Sequence, residues 1–197
     1  MDLKLFFQKL LDSLASKHFK LNKQANLNSF RAELLAVKEG KGFFFLPYVD
    51  YYFFYKDSLL NPLTAAKVAR LHELDRIFAN SQFKWPKALR IKIPNIVTVI
   101  IAEGPFPKEA IDLALKATAS LIGGERHQIV LIDLLNKQFF CQAPEVYSVY
   151  GLTLNFKKIN SLNRPIYFLK EILMALADFN FLDSYLKHFY SYRNLKI

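Results

Sequence analysis

Asn95-Ile-Val-Thr-Val-Ile-Ile-Ala102 is an almost unbroken apolar, β-branched run, and Gln128-Ile-Val-Leu-Ile-Asp-Leu134 is a second. Strands that are apolar at consecutive positions, rather than alternately, are buried on both faces. Glu103-Gly104-Pro105 breaks the first run, and Pro107 to Ile122 then carries Ile111, Ala114, Leu115, Thr118 and Leu121 on one helical face. Gly123-Gly124 ends that helix as a C-cap. Strand, helix and strand with short connections predict a right-handed βαβ unit over 95–134 with parallel strands. Leu135-Asn136-Lys137-Gln138 reads as a hairpin turn into Phe139 to Ala143, which makes the sheet mixed.

Upstream, Gly42-Phe-Phe-Phe-Leu-Pro-Tyr-Val-Asp-Tyr-Tyr-Phe-Phe-Tyr-Lys56 is aromatic at nine of its fifteen positions, so it must fill a core or form a binding platform. Pro47 cannot donate to a ladder and is expected to divide two short strands. As a platform, Tyr48, Tyr51, Tyr52 and Tyr55 beside Lys41 and Lys56 would stack bases. The core reading is preferred, because aromatic rings carry more apolar area than a surface normally exposes.

Leu3, Phe6, Phe7, Leu10, Leu11 and Leu14 predict an amphipathic helix over 3–17, with Asp2 as its N-cap. A second helix is predicted from Asn28 to Lys38, stopped by Gly40 and Gly42. Asn61-Pro62 reads as the start of a third, reaching about residue 80 with Leu63, Ala66, Leu71, Leu74, Ile77 and Phe78 on its buried face. Residues 81–94 form a basic connector. Tyr150 to Lys157 can supply an edge strand, and helices are expected from Pro165 to Asp178 and from Leu182 to Tyr192. The fold class is therefore α/β, a two- or three-layer mixed sheet around the 95–134 unit with helices at both chain ends. A single domain over 1–197 is expected, with N-terminal helices in 1–40 and C-terminal helices in 165–192 packed on the sheet.

Lys and Arg number 27 against 17 Asp and Glu, a formal charge of +10. Such a chain attracts nucleic acid, an acidic protein or an anionic surface. Lys84, Lys87, Arg90, Lys92, Lys157 and Lys158 are the candidate polyanion-binding residues. Cys141 is the single cysteine, which excludes an intrachain disulfide and makes a cytoplasmic location the expectation. No apolar stretch approaches the ~20 residues of a membrane span, and the N-terminus lacks a signal peptide's unbroken apolar segment.

Glu103 and Asp133 lie near the carboxyl ends of the predicted parallel strands, where α/β sheets bind ligands. With Asp50 they form a candidate catalytic cluster, in which Glu103 and Asp133 would hold Mg²⁺ for phosphodiester hydrolysis. Glu33 and Pro47-Tyr-Val-Asp50 show some resemblance in order to the PD-(D/E)XK nucleases. The acid-x-Lys that defines that family has no counterpart on a strand between Asp57 and Trp85, so the chain is not assigned to it. Histidines 18, 72, 127 and 188 are too dispersed for a zinc motif, and surface or capping roles are expected. His127 stands out by opening the second strand beside Glu125 and Arg126. Taken together, the residues predict a binding or accessory protein for a polyanionic partner, nucleic acid or acidic protein. The alternatives are a Mg-dependent nuclease or phosphohydrolase and a structural homo-oligomer such as a homodimer.

Overall fold

Six strands pair in the order of the chain, and the pairing changes twice, from antiparallel to parallel and back. A computed structural model describes residues 2–27, 30–41, 47–57, 63–84, 92–116, 125–141, 148–149 and 152–153. Helix α1 (Leu3–Ser16) is followed by β1 (Lys20–Leu27), β2 (Phe30–Lys41) and β3 (Pro47–Lys56). Helix α2 (Ala65–Ser81), β4 (Ile93–Ala102), α3 (Lys108–Lys116), β5 (Arg126–Asp133) and β6 (Gln138–Cys141) complete the main body. Strands β1, β2 and β3 are antiparallel neighbours, β3, β4 and β5 are parallel, and β6 returns antiparallel to β5. Two short strands, β7 (Ser148–Val149) and β8 (Leu152–Thr153), pair separately. The chain is thus a mixed α/β sheet with three helices among the described residues.

Alternation along the strands sorts the side chains into two cores. Phe6, Phe7, Leu10 and Leu14 of α1 pack with Leu34, Ala36, Tyr52, Phe54, Val97, Val99, Val130 and Ile132. On the opposite face Val68, Leu71 and Ala79 of α2 and Ala110 and Ala114 of α3 pack with Tyr51, Phe53, Tyr55, Ile96, Ile100, Ile129 and Leu131. Continuous apolar strands are what a sheet covered on both faces requires. The aromatic run from Tyr51 to Tyr55 lies at the centre, each residue buried, with rings alternating between the two cores. It is core, not a platform. Pro47 is the first residue of β3, where its missing N–H is tolerated; residues 42–46, which would hold the other short strand, lie outside the described residues.

Two expectations change. The predicted helix over 28–38 is strand: Lys20–Leu27 and Phe30–Lys41 form a hairpin, with pairs such as Leu21↔Ala36 and Lys23↔Leu34. Glu33, Leu34, Leu35, Ala36 and Lys38 are competent helix formers, but burial of Leu34 and Leu35 against opposite cores outweighs a propensity of a few tenths of a kcal/mol each. Gly40 is consequently no helix stop. It lies opposite Tyr48, and a Cβ there would collide with the Tyr48 ring.

Second, α2 begins at Ala65 with Thr64 as the N-cap, its hydroxyl accepting from Lys67 N at 3.3 Å. Its buried stripe is Val68, Leu71, His72, Asp75 and Ala79, while Ile77 is exposed. The expected helices at 165–178 and 182–192, and most of the strand expected at 150–157, lie outside the described residues.

Helix α1 is capped at both ends. The Asp2 carboxylate accepts from Lys4 N at 3.1 Å. At the other end Phe19 N bonds Leu14 O and His18 N bonds Ala15 O, the paired bonds of a Schellman motif, with His18 at φ 61° where glycine is usual.

Candidate functional site

Helical spacing on α2 carries two polar side chains into the core. His72 and Asp75 are one turn apart and share the stripe of Leu71 and Ala79, so packing α2 on the sheet places both against β3, β4 and β5. The strands meet them with polar groups at matching depth. Tyr55 comes from β3, Thr98 interrupts the apolar run of β4, and His127 comes from the start of β5.

The result is a chain of short hydrogen bonds. The Tyr55 hydroxyl donates to Asp75 Oδ1 at 2.5 Å, and Thr98 Oγ1 lies 2.5 Å from Asp75 Oδ2. His72 Nδ1 is 2.8 Å from the same Thr98 hydroxyl, and His72 Nε2 is 2.9 Å from His127 Nδ1. Burial decreases along it: Asp75 is fully enclosed, His72 is 7% exposed, and His127 is partly open.

Beside the histidines sits a charged group of three. Arg76 donates to Glu125 Oε1 at 2.5 Å and to Glu73 Oε2 at 2.6 Å, and Asn80 Nδ2 donates to Glu125 Oε2 at 2.8 Å. Glu125 is only 4% exposed, so a bidentate set of donors is what lets its charge stay buried.

The low-polarity surroundings set the protonation states. Burial pushes the Asp75 carboxyl up to about 8, although the hydrogen bonds from Thr98 and Tyr55 pull it down. Burial, aided by His127 and Arg76, lowers His72 to about 3, so its ring is neutral at any physiological pH. Burial and then the Asp75 charge raise the Tyr55 hydroxyl, which stays protonated. The arrangement can therefore hold one exchangeable proton on a carboxyl at neutral pH, linked by hydroxyl and imidazole groups to a partly exposed ring.

The residues singled out from sequence lie elsewhere. Asp50 pairs with Asn95 near the start of β4, its Oδ1 accepting from Asn95 Nδ2 at 2.5 Å. Asp133 pairs with Ala102, seven residues further along β4, or about 23 Å at a rise of ~3.3 Å per residue. The Asp133 carboxylate closes the β5–β6 turn by accepting from Asn136 N at 2.9 Å and Asn136 Nδ2 at 2.7 Å. Glu103 follows β4 directly, but its carboxylate accepts from Leu3 N at 2.9 Å, at the start of α1. Asp133 follows Ile129 and Leu131 onto the face covered by α2 and α3, so Asp133 and Glu103 serve opposite layers. The three acids do not converge. Among the described residues no group of three His, Cys, Asp or Glu side chains is arranged to hold a metal ion.

Of the basic candidates, Lys84 is exposed just after α2, and Lys92 bonds Glu39 Oε2 at 2.5 Å, which holds the Glu39 carboxyl below its ordinary range. Lys87, Arg90, Lys157 and Lys158 lie outside the described residues. Cys141 ends β6, half-buried beside the α1 core.

His72, Asp75, Thr98 and Tyr55 were not legible as a site. The available signal was the stripe 68, 71, 72, 75, 79 on α2, which keeps helical periodicity only if two polar residues are counted as inward. Thr98 within the β4 run was the matching hint.

No family model, no curated protein and no solved structure matches the chain. Among the described residues no helix is long and apolar enough to cross a membrane.

Proposed function

We propose that this chain is a binding protein for a polyanionic partner, nucleic acid before an acidic protein. The observation that carries this reading is the partition of charge between inside and outside. Asp50, Asp75, Glu125 and Asp133 are buried, whereas no Lys or Arg is buried among the described residues. Withdrawing acids leaves a surface more cationic than the formal +10 implies. The exposed cations include Lys4 and Lys9 on α1, Lys20 and Lys23 on the edge strand β1, and Arg31 and Lys41 on β2. Acids near them are partly neutralised already, Glu33 by Lys56 at 3.5 Å and Glu39 by Lys92.

Nucleic acid is preferred because its regularly spaced phosphates release condensed counterions on binding, which strengthens attachment to spread-out lysines without a shaped pocket. Lys87, Arg90, Lys157 and Lys158, which lie outside the described residues, are proposed as further polyanion-binding residues.

The test is fluorescence anisotropy with a labelled oligonucleotide and with a labelled poly-glutamate, each titrated from 50 to 300 mM salt. Binding of the oligonucleotide with a steep inverse salt dependence supports the reading. Tighter binding of poly-glutamate moves the partner to acidic protein, and no binding to either at 50 mM salt removes the proposal.

A further inference from the structure

We propose that Asp75, Thr98, His72 and His127 form a proton relay, which carries a proton from a buried carboxyl to a partly exposed histidine ring. This goes beyond polyanion binding and does not depend on it. Three hydrogen-bond contacts join the four residues in series.

Each link holds one proton. When Asp75 is ionised it accepts from the Thr98 hydroxyl, so Thr98 Oγ1 must accept from His72 Nδ1–H. His72 Nε2 is then bare and accepts from His127 Nδ1–H across 2.9 Å. When Asp75 is protonated at Oδ2 every link reverses. The carboxyl donates to Thr98 Oγ1, Thr98 donates to His72 Nδ1, and His72 Nε2–H donates to His127 Nδ1. The charge state of Asp75 is thereby written into the tautomer of His72, which is itself uncharged in both states.

Transfer runs by three hops that balance. The O–H of Asp75 breaks as a proton passes to Thr98 Oγ1, while the hydroxyl proton of Thr98 passes to His72 Nδ1. The proton on His72 Nε2 passes to His127 Nδ1. A carboxylate and an imidazolium replace two neutral groups, and His127 can then release its Nε2 proton to a base. Reversal of each hop restores the acid from solvent. His127 is the acid–base end of the site, and Asp75, Thr98 and His72 are its positioning and supply residues.

The surroundings are consistent with one mobile proton. Tyr55 from β3 donates to the other oxygen of Asp75 in both states. Arg76 and Glu73 on α2 and Glu125, just before β5, are charged neighbours, but they are bonded to one another. Helix α3 presents Ala110 and Ala114 to this layer.

The experiment uses the full chain labelled with ¹⁵N-histidine, and follows the ring nitrogens of His72 by NMR from pH 6 to pH 9.5. The expected result is an exchange between the Nε2–H form at low pH and the Nδ1–H form at high pH, with the midpoint of the Asp75 carboxyl titration. Asp75→Asn, whose amide donates to Thr98 as the protonated acid does, is expected to hold the Nε2–H form throughout. A single tautomer across the range in the unmodified chain overturns the relay, as does an Nδ1–H form in folded Asp75→Asn. If that variant fails to fold, the titration of the unmodified chain alone decides.

Discussion

His72 on α2 and His127 on β5 face each other nitrogen to nitrogen at 2.9 Å, with their rings tilted by 47°. One proton joins them, and its owner is decided two residues away in the hydrogen-bond chain, at Asp75. Several measurable consequences come from burying this chain in a core that is otherwise apolar.

Stability is expected to fall as pH rises from 6.5 to 8. Asp75 has a folded value near 8, above its unfolded value of 3.8, so its contribution is complete below the unfolded value and is lost as pH rises through 8. His72 acts in the opposite sense: its value falls from 6.5 to about 3, so its contribution is present above 6.5 and is lost on acidification. From about pH 4 to 6.5 the two oppose each other, and above 6.5 only Asp75 is left. Chemical denaturation at pH 6.5 and 8 should differ by up to about 2 kcal/mol, at ~1.4 kcal/mol per pH unit per proton. The same comparison in Asp75→Asn should lose that difference.

Thr98→Val keeps the shape of β4 and removes the central hydroxyl. Asp75 Oδ2 and His72 Nδ1 then lose a partner in a site without solvent, at a cost of about 2–4 kcal/mol. Thr98→Ser retains the hydroxyl and should cost ~1 kcal/mol or less. Equal losses for the two, measured by urea unfolding, would refute a role for the hydroxyl.

The helix end at His18 offers a gain. A left-handed backbone costs a non-glycine residue about 1 kcal/mol, and His18 adopts φ 61° with an exposed side chain. His18→Gly should therefore raise stability by ~0.5–1 kcal/mol, provided the bonds of His18 and Phe19 to Ala15 and Leu14 persist. A fall in melting temperature would show that the imidazole contributes more than the strain costs.

Charge reversal on the edge strand tests the binding surface. Lys20→Glu together with Lys23→Glu alters exposed side chains and should leave the melting temperature within a few degrees. If these lysines contact phosphates, oligonucleotide affinity falls at every sequence tried, and the slope of log affinity against log salt shrinks by about two. An unchanged slope would place the contacts elsewhere on the chain.

Phe53 is wholly buried beside Tyr51 and edge-on to Phe78 at 5.9 Å. Phe53→Ala should cost about 3–5 kcal/mol, because the sheet is covered on both faces and cannot collapse onto the space. Melting by circular dichroism measures it directly.

The sequence by itself determined the central parallel strand pair and the first helix. The continuous apolar runs at 95–102 and 128–134, separated by a helical pattern, were enough to place two strands that are parallel neighbours in the sheet. The periodicity of Leu3, Phe6, Phe7, Leu10 and Leu14, with Asp2 before it, located α1 nearly to the residue. These signals are local, since each segment carries its own period. Long-range partners decided the rest. Residues 30–38 have helix-forming composition and became strand because β1 and β3 offered two ladders. Asp50, Glu103 and Asp133 are all carboxylates but lie at different ends and faces of the sheet, which spacing along the chain cannot show. His72 and Asp75 are an ordinary polar pair on a helix until the rotation of α2 is known. Their chemistry comes from Tyr55, Thr98 and His127 on three other strands, and from the loss of water that packing imposes.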